Sequence, residues 1–183
     1  LLGIDLPRED PQSVYRRELE DIDRLMAGRT PDALLSLPLL RDPTYHVAQE
    51  ILLNMDVPAY IHEPELYPLI IATMVRISLE HGNASPSCKA YVNHGMLLCA
   101  MFEDYQRGYA FGRLGWQLVD RLGAVAIRCK TALPWGALTQ HWVEPLSETF
   151  AILEEGIRSG LVTGDLQFVG YLWFYLIEHR YLS

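Results

Sequence analysis

The sequence has little positive charge. Its 15 Lys and Arg residues stand against 23 Asp and Glu residues, so the formal net charge is −8 at pH 7. Because binding to a phosphate backbone needs clustered Lys and Arg, this composition argues against nucleic acid as a partner. The acidic excess lies in residues 1–65, whereas residues 66–183 are close to neutral. We therefore expect a solvated acidic surface on the first helices.

Cysteine and long apolar runs are also scarce. Cys88, Cys99 and Cys129 are an odd number and form no CxxC pair, which favours reduced core thiols in a cytoplasmic protein over a disulfide framework. The densest apolar run, residues 168–177, is shorter than the roughly 18–20 residues of a membrane span. We expect no membrane partner. The chain has no signal-peptide pattern and stops within a helical pattern, so we also expect a fragment of a longer protein.

Sequence motifs of catalysis and cofactor binding are missing. The chain contains no GxxxxGK[ST], GxGxxG, GxSxG or HExxH, and its histidines lack the spacing of a zinc site. The carboxylates within residues 18–23 follow one another on a predicted helix and therefore diverge. These absences predict that the segment is not an enzyme and binds neither a metal nor a cofactor.

Helix-start signals are what the chain has in abundance. Proline follows Asp, Thr, Glu or Ser at six positions, and a capping residue precedes it in four of them. Proline at this frequency also argues against β-strands. The pattern predicts an all-α fold with helices at about 11–27, 31–37, 43–55, 64–81, 86–102, 104–122, 125–141, 145–162 and 165–181.

Glycines recur with a fixed spacing. Gly82, Gly123 and Gly164 are 41 residues apart, and each is predicted to close a helix in the left-handed conformation. Gly95 and Gly136 follow thirteen residues later and predict close approach between helices. A period near 40 with two helices per unit is typical of tetratricopeptide-like or HEAT-like arrays.

The repeat predicts a right-handed superhelical array of antiparallel helix pairs. Residues 1–57 are expected to form acidic, less regular N-terminal helices, and residues 58–183 the repeats, truncated at the C-terminal end and continuous with the first part. The helix at 64–81 carries two apolar stripes, which predicts that other helices pack on both of its sides.

Aromatic and histidine side chains on the first helices of successive units are candidate binding residues. In tetratricopeptide-like arrays those helices line a concave groove that could hold a peptide or a small ligand. A second candidate is the His–Trp pair at a predicted helix end. Aromatic core filling and a packed helix corner remain open as alternatives. The candidate residues are Tyr91, His94, Trp135, His141, Trp142 and Trp173.

Several packing motifs resemble one family. They include LLSLPLLRDP at 34–43, PELYP at 64–68, SLEHGN at 78–83, AYVNHG at 90–95 and TGDL at 163–166. They are similar to the helical-repeat segment of large bacterial signalling proteins. In those proteins a serine/threonine-kinase-like domain and an AAA/NACHT-type P-loop ATPase precede the repeats, and a GAF sensor domain and usually a histidine kinase follow.

The resemblance implies a role but no catalytic residue, since the kinase and ATPase motifs of that family lie in other domains. It implies a non-enzymatic scaffold and sensor relay that links the ATPase to the sensor and kinase domains. The implied partners are neighbouring domains of the same polypeptide and a protein or peptide. A small-molecule or peptide ligand-binding module and a helical enzyme remain as alternatives.

The last predicted helix, 165–181, is apolar around most of its circumference. Only part of that surface can pack on the preceding helix pair. Because large exposed apolar patches are rare on monomers, we expect the isolated fragment to self-associate through this helix.

Overall fold

The computed structural model describes Leu6 and residues 10–183. Within this part of the chain the secondary structure is helical and contains no β-strand, so the predicted all-α class is confirmed. The described residues form eight α-helices: α1 (Pro11–Met26), α2 (Pro43–His62), α3 (Tyr67–His81), α4 (Ser85–Phe102), α5 (Tyr105–Leu122), α6 (Val125–Ala132), α7 (Thr149–Thr163) and α8 (Leu166–Leu182). Short 3₁₀ helices span Pro31–Ser36, Gln140–Trp142 and Leu146–Glu148, and a π-helical turn spans Leu133–Ala137.

Two of the predicted caps form as expected. The Asp10 side chain accepts a hydrogen bond from the Ser13 N–H, and the Asp42 side chain accepts one from the Thr44 N–H, which satisfies a free donor at each helix start. The predicted start at 64 is wrong, because residues 64–66 form a turn and α3 begins at Tyr67.

Helix α2 is longer than predicted. We expected it to end at 55, but it continues through Pro58 to His62. Proline removes one helical N–H and crowds the preceding turn. Pro58 is exposed, and the helix nevertheless continues beyond it. The expected boundary between residues 57 and 58 therefore falls inside one continuous helix.

The predicted helix at 125–141 is interrupted. Helix α6 ends at Ala132, and the chain continues as the π-helical turn and a 3₁₀ turn. Pro134 has no N–H to donate to the α-helical ladder, which breaks the regular hydrogen-bond pattern. In the segment that follows, the Thr139 hydroxyl donates a hydrogen bond to the Pro134 carbonyl at 2.7 Å. The next predicted helix, 145–162, is also shorter at its start, since α7 begins at Thr149.

Most helices pack on their neighbours in the chain, whereas α1 packs on α3. Helix α3 contacts α1, α2 and α4, and nearly all of its residues are buried, in agreement with its two apolar stripes. Helix α4 packs closely on α5, and α7 packs on α6 and α8. The buried apolar side chains form two clusters, one built mainly from α1–α5 and one from α6–α8.

The three repeat glycines all have positive φ but differ in conformation. Gly123 (φ 61°, ψ 28°) and Gly164 (φ 80°, ψ 15°) are left-handed. Gly82 (φ 106°, ψ 173°) is not, which corrects the prediction of a left-handed cap. The reason is local pairing, since Asn83 N–H donates to the Pro38 carbonyl at 2.8 Å. A Cβ at Gly82 would lie 2.4 Å from that same carbonyl oxygen.

Candidate ligand-binding pocket

A pocket of about 280 Å³ is lined by residues of several helices. Its walls come from α2, α4 and α8, from Tyr67 of α3, and from the irregular segment after α6. Most of the lining is apolar or aromatic, which is typical of small-molecule sites. The lining residues are Asp56, Val57, Tyr60, Ile61, Tyr67, Lys89, Asn93, Met96, Leu133, Pro134, Leu138, Phe168, Tyr171 and Tyr175.

A buried ion pair belongs to this lining. Lys89 Nζ lies 2.5 Å from Asp56 Oδ2, and the two side chains are 5% and 2% exposed. Asn93 Nδ2 donates to the same carboxylate oxygen at 3.4 Å. Asp56 Oδ1 is also buried, yet it has no hydrogen-bond partner among the described residues. An acceptor of a charged group left unpaired in the interior is unusual and costly.

The protonation of the neighbouring groups follows from their burial. Burial lowers the pKa of Lys89, and the adjacent Asp56 carboxylate acts in the opposite direction. Burial, together with the negative charge of Asp56, raises the pKa of Tyr67 well above its ordinary value. The Tyr67 phenol is therefore protonated at neutral pH.

Lys89 also connects α4 to the last helix. Its Nζ lies 5.2 Å from the centre of the Phe168 ring of α8, a distance suited to a cation–π interaction. Side chains of both hydrophobic clusters line the pocket: Tyr67 and Met96 belong to the first cluster, and Leu133 and Phe168 belong to the second.

Two segments that follow prolines supply part of the pocket wall. The last turn of α2, after Pro58, carries Tyr60 and Ile61 into the lining. The break at Pro134 follows the end of α6 and brings Leu133 and Leu138 into the lining. Both features were missed by the sequence-based helix limits.

Three of the predicted site residues lie in the helix packing instead. Tyr91 is fully buried, and its hydroxyl donates to Asn83 Oδ1 at 2.9 Å. His94 is also fully buried, with its ring edge-on to Phe111 at 4.7 Å between centroids. Trp135 is buried, and its ring lies 5.1 Å from that of Tyr109.

The other three predicted residues lie nearer the surface and apart from the pocket. Trp142 is half exposed and stacks on Tyr105 at 4.8 Å. The His141 ring lies 5.9 Å from the ring of His179. Trp173 borders a shallow groove between α7 and α8. The structure therefore does not bring the six predicted residues together in one site.

Sequence reasoning missed Asp56, Lys89 and Asn93. One signal was available, because Lys89 is one of two lysines in the chain and stands in the otherwise mostly apolar α4. Long charged side chains are rarely buried unless they are paired. A lysine in such a helix therefore predicts a buried acidic partner, although it does not identify Asp56.

The acidic residues near the N-terminus are engaged with arginines. Glu18 Oε2 lies 2.9 Å from Arg76 Nε, and Asp23 pairs with Arg107. Across the described part of the chain, no three His, Cys, Asp or Glu side chains converge as metal ligands would. The helices described there also include none with the length and apolar character needed to cross a membrane.

Comparison of the chain with protein-family models, with curated proteins and with solved structures found no match.

Proposed function

We propose that this segment is a helical-repeat module that binds a small molecule and relays its presence within a larger signalling protein. The observation that carries the proposal is the apolar pocket with Asp56, Lys89 and Asn93 in its lining. A few polar side chains in an otherwise apolar and aromatic lining are typical of small-molecule sites. The ligand-binding alternative is therefore favoured over a scaffold alone.

The contacts between helices support an array of tetratricopeptide-like helix pairs. Helix α2 contacts α4, α4 contacts α6, and α6 contacts α8, as the first helices of successive units do in such arrays. The pocket is bordered by three of these helices and by the segment after α6. It therefore corresponds to the groove face of the proposed array, where ligands of such proteins bind.

The position of the pocket supports a relay role. Side chains from α2 and from α8 line it together, so a bound molecule would contact the early and the late part of the chain. A ligand that binds one arrangement of these helices more tightly shifts the population toward it. Helix α8 would then communicate occupancy to a neighbouring domain of the same polypeptide. No chemical step is part of this role, and the ligand should be recovered unchanged.

The fluorescent probe N-phenyl-1-naphthylamine, an uncharged aromatic amine, tests the proposal. We expect its fluorescence to rise on titration with the wild-type protein. Val57→Trp, which fills the pocket from α2, should abolish most of that rise. Val47→Trp is the matched control, since Val47 is half exposed on the same helix and outside the pocket. Equal fluorescence in both variants would refute binding in this pocket.

A further inference from the structure

We infer that the pocket binds a small quaternary ammonium compound, whose positive charge lies against the tyrosine rings of the lining. The inference rests on the proposed function and specifies the class of ligand. Three features of the site support it: the number and arrangement of the rings, the access of water to the pocket and the charges around it.

Aromatic side chains make up a large part of the lining. Tyr60 and Tyr67 meet at 5.2 Å between ring centroids with their planes 75° apart, and Phe168 and Tyr171 meet at 6.0 Å with their planes 83° apart. Tyr175 is the fifth aromatic residue of the lining. Several aromatic rings around one site form the cages that recognise quaternary ammonium groups. The lining therefore has the composition of such a cage.

The faces of the tyrosine rings are available to a cation. The face of an aromatic ring is negative and attracts positive charge. Phe168 already has a cation nearby, since Lys89 Nζ lies 5.2 Å from its ring centre. In the part of the chain that the structure describes, no Lys or Arg lies over the ring of any of the four tyrosines in the lining. A ligand cation would supply the contact that these rings lack.

Water reaches one side of the pocket, which favours a ligand that keeps its charge. Tyr60 and Ile61 are 60% and 58% exposed, so a bound cation retains part of its hydration. The large cost of moving a charge into a dry interior is thereby avoided. A quaternary ammonium group also carries no N–H and needs no hydrogen-bond acceptor. The enclosed Asp56 carboxylate, which pairs with Lys89, therefore has no part in binding it.

The charges around the pocket do not oppose a cation. Asp56 and Lys89 are the charged residues among those that line the pocket, and they neutralise one another. The chain as a whole has a formal net charge of −8. A protein with this excess of negative charge attracts cations at longer range.

Choline and 3,3-dimethylbutan-1-ol test the inference on the wild-type protein. The two have the same shape and differ in one atom, which is a positively charged nitrogen in choline and a carbon in the alcohol. Titration followed by proton NMR of the ligand methyl groups should show choline binding about tenfold more tightly. Its methyl signal should shift upfield, because ring faces shield the protons above them. Burial of apolar surface alone would instead favour the uncharged alcohol.

Variants of Tyr60 test whether the ring provides the selectivity. Tyr60→Leu keeps an apolar side chain without a ring and should lower the affinity for choline about fivefold. Tyr60→Phe keeps the ring and should retain the preference for choline over the alcohol. Tyr181→Leu is the matched control, since Tyr181 is 88% exposed on α8 and lies outside the pocket. Because Tyr60 is exposed, its variants should fold, which circular dichroism verifies.

A peptide that contains trimethyllysine distinguishes a free compound from a modified protein as the source of the ammonium group. We expect choline to bind at least as tightly as the peptide. Tighter binding of the peptide would overturn the assignment to a free compound.

Three other results would overturn the cage. They are binding of the alcohol as tight as that of choline, equal choline affinity of Tyr60→Leu and the wild type, and binding of neither compound. If Val57→Trp still abolishes the fluorescence of the naphthylamine probe, each of these results leaves the ligand pocket intact. If Val57→Trp has no effect either, both proposals are overturned.

Discussion

Lys89 Nζ lies 2.5 Å from Asp56 Oδ2, and both side chains are almost completely buried. Bringing two charges out of water costs several kcal/mol per ion, and their attraction often does no more than offset it. Two apolar residues of similar volume would fill the same space at no such cost. The stability of the fold alone therefore does not account for this pair.

Breaking this pair should be strongly destabilising. Lys89→Met leaves the Asp56 carboxylate buried without its cation, and we expect the free energy of unfolding to fall by about 3–5 kcal/mol. Asp56→Leu combined with Lys89→Met should recover most of that loss, because no charge is then left unpaired. Urea unfolding followed by circular dichroism measures each value.

A more exposed pair provides the control for this experiment. Lys130 Nζ lies 3.7 Å from Asp165 Oδ2, with both side chains partly exposed. Lys130→Met should cost about 1 kcal/mol or less. Equally small losses of stability for Lys89→Met and Lys130→Met would show that water reaches the Asp56 carboxylate once Lys89 is removed, and would contradict the expected cost of breaking the buried pair.

The sequence predicted the helical elements well and the pocket poorly, for a physical reason. Helix starts depend on neighbouring residues, so the caps at Asp10 and Asp42 could be read locally. The pairing of Asp56 with Lys89 depends on how α2 packs on α4, which no local pattern encodes. Whether a helix continues past proline, as at Pro58, or is interrupted, as at Pro134, depends on tertiary packing.

The positions of the aromatic candidates depend on tertiary packing in a related way. Spacing placed Tyr91 and Trp135 in successive units, but spacing does not tell a groove-facing side from a core-facing side. Both residues are buried in the structure. The pocket instead uses Tyr60, Tyr171 and Tyr175, which belong to the last turn of α2 and to α8.

Close packing of α4 on α5 should make Gly95 intolerant of a side chain. A Cβ at Gly95 would lie 2.3 Å from the Gly108 carbonyl oxygen and 2.9 Å from the Gly112 nitrogen. Backbone atoms cannot rotate away, so Gly95→Ala should destabilise the protein by about 2 kcal/mol or more. This contact explains the glycine that the sequence places within the helix.

Gly170 is the matched control for Gly95. It lies within α8, and a Cβ there would meet nothing within 4 Å. Gly170→Ala should stabilise the protein by about 1 kcal/mol, because alanine has a higher helix propensity than glycine. Thermal or urea unfolding of the two variants gives the comparison. Similar effects at both positions would show that α4 and α5 are not in close backbone contact.

The exposed side of α8 should promote self-association of the isolated chain. Phe168 and Leu172 pack inward, whereas Trp173, Phe174 and Ile177 are exposed. Light scattering over a range of protein concentrations should show a rising mass for the wild type. Phe174→Glu with Ile177→Glu should keep the chain monomeric, because it places charge on the exposed stripe.

The control substitution for self-association is Gln167→Glu, which adds a charge at an exposed position of the same helix. Leu176 is unsuitable as a test position because it is buried against α7 and belongs to the second hydrophobic cluster. A wild-type chain that remains monomeric at every concentration would contradict this prediction.

His94 should make the fold sensitive to mild acid. It is fully buried, and neither ring nitrogen has a hydrogen-bond partner among the described residues. Burial, with a smaller contribution from the positive charge of Arg107, lowers the pKa of His94 to about 3. In the unfolded chain the pKa of histidine is about 6.5. Between these values the unfolded chain binds a proton that the folded chain does not, so stability falls as the pH is lowered.

The size of this effect can be measured by comparing variants. At pH 5 the contribution of His94 should reduce the free energy of unfolding by about 2 kcal/mol relative to pH 7.5. His94→Phe, which replaces the ring with one that cannot titrate, should lose that part of the pH dependence. His46→Phe, at an exposed position of α2, is the matched control for replacing a histidine by phenylalanine. His141 and His179, whose pKa values burial also lowers, remain in both variants and contribute to the pH dependence that is left. An identical pH dependence in wild type and His94→Phe would mean that water or a polar group reaches the His94 ring.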